Sequence, residues 1–266
     1  MEFIAFAQQH GLIIDNVVTD RWTRVPTEDK PNKRNGSYIW DGYSGAVMDW
    51  SVHDKPIFYK SEKKYKPNPD FLRKKEAAEK ERKLKQEQAA SKAGWLMHKS
   101  IKTNHPYLER KGFPEIKSNV YDGKLIVPMR INKKLVGCQM ISLDGSKKFL
   151  YGQITKMASL TIDNHGENII CEGLATALSI RKVMKHLKER YTIHVAFSAQ
   201  NMVEISKNIK SPIVVADNDL IGLEMAKKIG KFWTPPIEGY DMNDFEQSYG
   251  IEIVSKNFQE FLKKSL

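Results

Sequence analysis

Five acidic residues, Glu172, Asp217, Asp219, Asp241 and Asp244, fall where an alternating chain would gather them. Glu172 closes the apolar run IIC and is followed at once by Gly173. Asp217 and Asp219 close a second run, IVVA, as Asp-Asn-Asp, and Asp241 and Asp244 lie in the segment GYDMNDF. In an open α/β sheet, ligands bind beyond the carboxyl ends of the strands. Four or five carboxylates would meet there. Charges that close repel, and each raises the pKa of the others unless a cation neutralises them. Hard oxygen donors without His or Cys suit Mg2+ or Mn2+. Such ions bridge a phosphate and stabilise charge as an oxygen attacks phosphorus. Plainer roles exist for single residues. Asp219 can cap a helix starting near Ile221, and Asp244 can sit in a first helical turn. The set at this spacing favours the metal reading.

The elements that must position these acids alternate over residues 165–262. ENIICEG (167–173), TIHVAFSA (192–199) and SPIVVADND (211–219) read as buried strands. Residues 174–189, 200–210 and 221–232 read as helices, and 239–250 as a loop entering another. The expected class is α/β, a parallel sheet with helices on both faces. Residues 95–164 predict a basic α+β subdomain, with HPYLERKGF ending a helix and strands at 124–131, 134–142 and 147–152. Asn132-Lys133 and Asp144-Gly145 mark its hairpin turns. Residues 61–94 read as a charged linker helix, preceded by Pro67 and Pro69 and ended by Gly94. Over 61–92 it holds 11 basic and 6 acidic residues with almost no apolar face. Residues 1–60 predict a small β-rich module: a short helix, Glu2 to His10, then β-like runs at 21–26, 36–40 and 46–50. Trp40 and Trp50 are expected in its core. Arg21, Trp22, Arg24, Lys33 and Arg34 mix basic and aromatic character, which suits phosphate neutralisation and base stacking on a single strand.

Across all 266 residues, 43 Lys+Arg stand against 32 Asp+Glu, a net charge of +11. Residues 1–164 hold 30 basic and 19 acidic residues, whereas 165–266 hold 13 of each, so the whole excess is N-terminal. A polyanionic partner follows, with nucleic acid ahead of an anionic membrane. Hydrophobic residues make up 41% of the chain, which argues against wholesale disorder. No apolar run reaches the roughly 18 residues of a membrane span, and no secretory signal opens the chain. The reading is a cytoplasmic protein with no membrane partner. Two cysteines, Cys138 and Cys171, cannot form a disulfide framework or a Cys-rich zinc site, so no zinc is expected.

CEGLATALSI, VVADND and DMNDF together resemble the TOPRIM domain of bacterial-type DNA primases, topoisomerases and related nucleases. The resemblance implies a Rossmann-like sheet and a metal site. By position, Glu172 matches the TOPRIM glutamate, Asp217 and Asp219 the Asp-x-Asp pair, and Asp241, Asn243 and Asp244 the third element. Thr176 departs from the pattern, because many primases carry a further acid there. Upstream, WTRVPTEDKPNKRNGSYIWDGYSGAVMDWS, HPYLERKG, LIVPMR and KKFLYG resemble plasmid- and phage-encoded primases in the same order. That implies synthesis of short RNA primers from ribonucleoside triphosphates on a single-stranded DNA template, with a replicative helicase or other replisome protein as partner. Lys147, Lys148, Arg110, Lys111 and Arg130 become nucleotide- or template-binding candidates, with Lys148 preferred. Metal-dependent cleavage by a TOPRIM nuclease, and a non-catalytic single-strand binder on the same scaffold, are the alternatives. No GxxxxGK[ST] loop is present, so no motor is expected.

Overall fold

The computed structural model describes residues 2–61 and 69–264. Pro67 lies outside the described residues. The chain divides into two compact units, Met1–Glu81 and Arg82–Leu266.

In the first unit, α1 (Phe3–Gln9) precedes an antiparallel sheet of β1 (Thr23–Val25), β2 (Gly36–Trp40), β3 (Ser44–Asp49) and β4 (Ile57–Lys60), paired in chain order. Alternation gives the sheet one apolar face, where Val25, Tyr38 and Val47 pack with Phe3, Ala7 and Leu12. Gly45 is needed there, because a Cβ would lie 2.6 Å from a Phe3 ring carbon. Trp40 stacks on Phe3 with ring centroids 4.5 Å apart. Trp50, expected in the core, is instead 56% exposed. Val47 faces α1, so a residue three positions later falls on the opposite face. There the Trp50 indole N–H donates to Ser37 Oγ, and the Arg24 guanidinium lies 4.9 Å from the ring centroid.

Helix α2 (Pro69–Lys99) crosses the division between the units. It does not stop at Gly94. One glycine costs a helix about 1 kcal/mol, which burial of Ala89, Ala93 and Leu96 around it offsets.

The second unit holds two sheets. β5 (Ile101–Thr103), β6 (Ser118–Tyr121), β7 (Lys124–Ile131), β8 (Lys134–Ile141) and β9 (Lys147–Phe149) form an antiparallel meander, with α3 (Pro106–Arg110) between β5 and β6. Asn132 and Lys133 turn the β7–β8 hairpin, both with positive φ, 47° and 68°. His105 caps α3, its Nδ1 accepting the Tyr107 N–H at 3.2 Å. One face of the meander, with Ile126 and Cys138, packs on Ala93 and Leu96 of α2. The other, with Leu125, Val127 and Ile141, joins the main core.

The second sheet comprises β10 (Leu160–Asp163), β11 (Glu167–Cys171), β12 (Tyr191–Val195), β13 (Ile213–Val215) and β14 (Phe232–Trp233), in the order β10-β12-β11-β13-β14. β10 is an antiparallel edge, and the remaining strands run parallel. Between them come α4 (Leu174–His186), α5 (Ala199–Ser206) and α6 (Leu220–Ile229), and α7 (Met242–Lys264) follows β14 with a kink at Gly250. Alternation along β11 and β13 covers both faces. Ile169, Cys171 and Val215 pack in the core with α4 and α7, whereas Ile170, Val214 and Ala216 pack with α5 and α6. This is the α/β architecture expected for 165–262. Cys138 and Cys171 are free and buried. No helix among the described residues is long and apolar enough to cross a membrane.

Candidate active site

The two central strands deliver the acids. β11 ends at Cys171, so Glu172 is the first residue past the sheet, and its carbonyl accepts the Phe197 N–H at 2.8 Å. β13 ends at Val215, beside Cys171, so Asp217 and Asp219 emerge next to Glu172. Asn218, between them, fixes the third contributor. Its N–H donates to Tyr240 O at 2.9 Å, its side-chain amide to Pro235 O at 2.9 Å, and its carbonyl accepts from Gly239 N at 2.7 Å. These bonds hold the loop before Asp241 against the end of β13. Gly222 permits the close turn after Asp217, because a Cβ there would lie 2.5 Å from the Asp217 carbonyl oxygen.

The acids feel one another. The Asp217 carboxyl is pushed up to about 7, first by burial and then by Asp241, Glu172 and Asp219, against the pull of Lys147. Glu172 is raised as well, by burial first, with Lys147 opposing and Asp219 adding. Most of the acids also serve a local bond. Glu172 accepts the Ala199 N–H at the start of α5. Asp219 caps α6, its Oδ1 accepting the Gly222 N–H at 2.6 Å. Asp241 accepts from Thr176 Oγ1 at 3.3 Å and from the Asp244 N–H at 2.8 Å. Asp244, in the first turn of α7, takes Lys111 Nζ at 3.2 Å. Asp217 differs, because its Oδ1 is buried with no hydrogen-bond partner. Among the described residues, no three His, Cys, Asp or Glu side chains stand ready to hold a metal. The donor chemistry still fits a hard cation. An orphaned buried carboxylate oxygen costs free energy as it stands, and the groups around it are further carboxylates.

Two of the candidates have other surroundings in the structure. Asn243, expected among the metal ligands, is fully buried, with its amide spent on Lys111 O at 2.8 Å and Ser179 Oγ at 3.1 Å, and its Oδ1 on Gln247. It ties α7 to α4 and to the turn after α3. Lys148, the preferred contact residue, pairs with Met140 on the meander face that packs against α2. Lys147 pairs with Ile141 on the other face, and its charge reaches Glu172 and Asp217. Phe149 shares the face of Lys147, and the Phe149 and Phe197 ring centroids lie 6.5 Å apart. Lys147→Ala is expected to lower turnover on the order of 100-fold, the scale of one preorganised electrostatic contact. Lys148→Ala should stay within a few-fold. Steady-state rates of the two variants side by side test the assignment, and equal losses would overturn it.

The remaining candidates separate. Arg110 donates to Leu143 O and steadies the β8–β9 turn. Arg130 donates to Lys133 O at 3.1 Å and lines a different cavity of about 660 Å³ with Asp163 and His194. Arg21, Trp22, Arg24, Lys33 and Arg34 are exposed on the first unit. Two contributors escaped the sequence reading: Asn218, seen only as the spacer of Asp-Asn-Asp, and Tyr107. The Tyr107 phenol is pushed up to about 12, by burial first and then by Asp241 and Asp244, which places it beside the acids.

A pair of carboxylates past β13, a Glu-Gly past β11 and an Asp carried in by the following loop lie at one end of the parallel sheet. Residues 167–252 match the family model of the Toprim domain. The match spans the parallel strands from β11 through β14 and the first half of α7. A crystal structure of a DNA primase domain from Pseudomonas aeruginosa is similar over 56% of this chain and 53% of that one, at 12% identity with a TM-score of 0.37. The chain thus spans about half the length of that domain. No curated protein matches.

Proposed function

We propose that the chain is a DNA primase that joins ribonucleotides into short primers on a single-stranded DNA template, serving phage or plasmid replication. The observation that carries this reading is the orphaned, buried Asp217 oxygen, ringed by Glu172, Asp219 and Asp241 and faced by Lys147 within a Toprim unit. Mg2+ or Mn2+, when bound, would hold nucleotide phosphates and stabilise charge at the attacked phosphorus.

The chain's own residues do the rest. Asp217 and the free oxygen of Asp219 would hold the cation, with Glu172 and Asp241 completing the set. Glu172, raised by burial, is suited to take the proton of an attacking hydroxyl. Thr176 donates to Asp241 and keeps that carboxylate aimed at the cluster. Lys147 would meet the incoming triphosphate. Residues 1–60 hold 7 basic and 8 acidic residues, so the positive excess belongs to 61–164, with 23 against 11. That segment is the natural holder of template phosphates. On the first unit, exposed Trp22 and the Arg24–Trp50 pair would add base stacking.

The test is incubation of the full chain with labelled ribonucleoside triphosphates, Mg2+ or Mn2+ and a single-stranded DNA template. Short oligoribonucleotides are expected. A shortened template would instead mean a nuclease, and a mobility shift with neither product a non-catalytic binder.

A further inference from the structure

Helix α4 starts at the carboxylate cluster and ends in a basic cleft that the chemistry above does not use. Its first turn carries Thr176, bonded to Asp241, and its second carries Ser179, bonded to Asn243. The next turns present Arg181, Lys182 and Lys185 to a cleft of about 390 Å³, lined also by Phe113, Glu115, Ile116 and Leu178. Lys182 is committed to the buried carboxylate of Glu246. Arg181 and Lys185 are not committed, since neither has a hydrogen bond or ion pair among the described residues. Arg181 is also half-buried. A guanidinium partly withdrawn from water, with five donors and no acceptor, suits a bidentate anion. Arg181 and Lys185 stand one turn apart, on the same face of the helix.

We propose that this cleft holds two neighbouring backbone phosphates, one at Arg181 and one at Lys185, of the single-stranded nucleic acid on which the Toprim unit acts. The inference rests on the reading of the chain as a nucleic-acid enzyme and adds where the strand runs. At 1.5 Å per residue, Arg181 and Lys185 lie roughly 8 and 14 Å along α4 from Thr176. One strand of a few nucleotides spans both places. Phe113 and Leu178 give the cleft an apolar wall, so a phosphate seated there is shielded from water on one side, which strengthens the ion pair.

The experiment is fluorescence anisotropy of a labelled 20-nucleotide oligo(dT) on the full chain in EDTA, over a range of salt. Binding alone is read, so no chemistry is required. Arg181→Gln/Lys185→Gln should lower the slope of log K against log[salt] by about 1.4, the share of two single-strand phosphate contacts. Lys227→Gln/Lys228→Gln, on α6 across the sheet, removes the same charge and should leave the slope unchanged. Should the first variant melt early, Lys185→Gln alone, an exposed position, should remove about 0.7. An unchanged slope in the cleft variants overturns the proposal, and so does an equal fall in the α6 control. A variant that loses ATP or pyrophosphate binding but keeps oligo(dT) binding assigns the phosphate to a free nucleotide and overturns it too. Failure of the wild-type chain to bind oligo(dT) would sink both this site and the primase reading, whereas wild-type binding with insensitive variants sinks only the site.

Discussion

Replacing Asp217 and Asp219 together by alanine is expected to lower primer synthesis by at least about 10³-fold, because several kcal/mol of charge stabilisation at the attacked phosphorus goes with the cation. Affinity for single-stranded DNA should stay within a few-fold. The two carboxylates contribute negative charge, so nothing that attracts a polyanion is lost. The fold should survive as well. Asp217 Oδ1 has no partner to strand, and loss of the Asp219 cap on α6 costs about 1 kcal/mol. Synthesis and binding measured on one preparation check both halves. Undiminished synthesis would remove the acids from the chemistry, and a collapse of both would mean the site is structural.

The second large effect is on stability. The Asp217 carboxyl rises from 3.8 to about 7 on folding, so the native state holds its proton more tightly than the unfolded chain does. The resulting cost is absent below about pH 4, grows as pH rises, and is complete above about pH 7, at up to ~4 kcal/mol by linkage. Asp217→Asn should therefore leave the melting temperature nearly unchanged at pH 4 and raise it at pH 8, in metal-free buffer. At roughly 2–4 °C per kcal/mol for a unit of this size, the shift is readily measured. Added Mg2+ should stabilise the wild-type chain at pH 8 and not the variant. A variant equally or less stable at pH 8 would mean that the Asp217 charge is not strained in the native state.

The α/β half was legible because its signals are local. IIC and IVV are wholly apolar strands buried on both faces, and the acids sit directly at their ends. Asp219 and Asp244 turned out to do two things, since the cap and first-turn positions and a place in the acidic cluster coexist. β5, β6, β10 and β14 were not legible. They are two to four residues long, and no residue of β5, β6 or β10 is buried, so they carry no periodic apolar signal. Lys147 and Lys148 show a different limit. A one-residue change in register moves a side chain to the other face, and only the pairing with Ile141 and Met140 decides which lysine meets the acids. Asn243 reads as a ligand from its motif, yet its neighbours Lys111 and Ser179 are remote in sequence, 132 and 64 residues away. Trp50 stands three residues past the buried Val47, so strand parity puts it on the open face, which its residue type alone does not indicate. The positive excess lies within residues 61–164, a finer placement than the net charge of +11 gives.

Asp217 and its neighbouring carboxylates are proposed to form a divalent-cation site. Mn2+ titration followed by electron paramagnetic resonance on the full chain, without nucleotide or DNA, tests it most directly. The expected result is saturable quenching of the free Mn2+ signal by the wild-type chain, lost in Asp217→Ala/Asp219→Ala and retained in Lys148→Ala. Equal Mn2+ binding by the wild type and the double variant, or none by the wild type, would contradict the account.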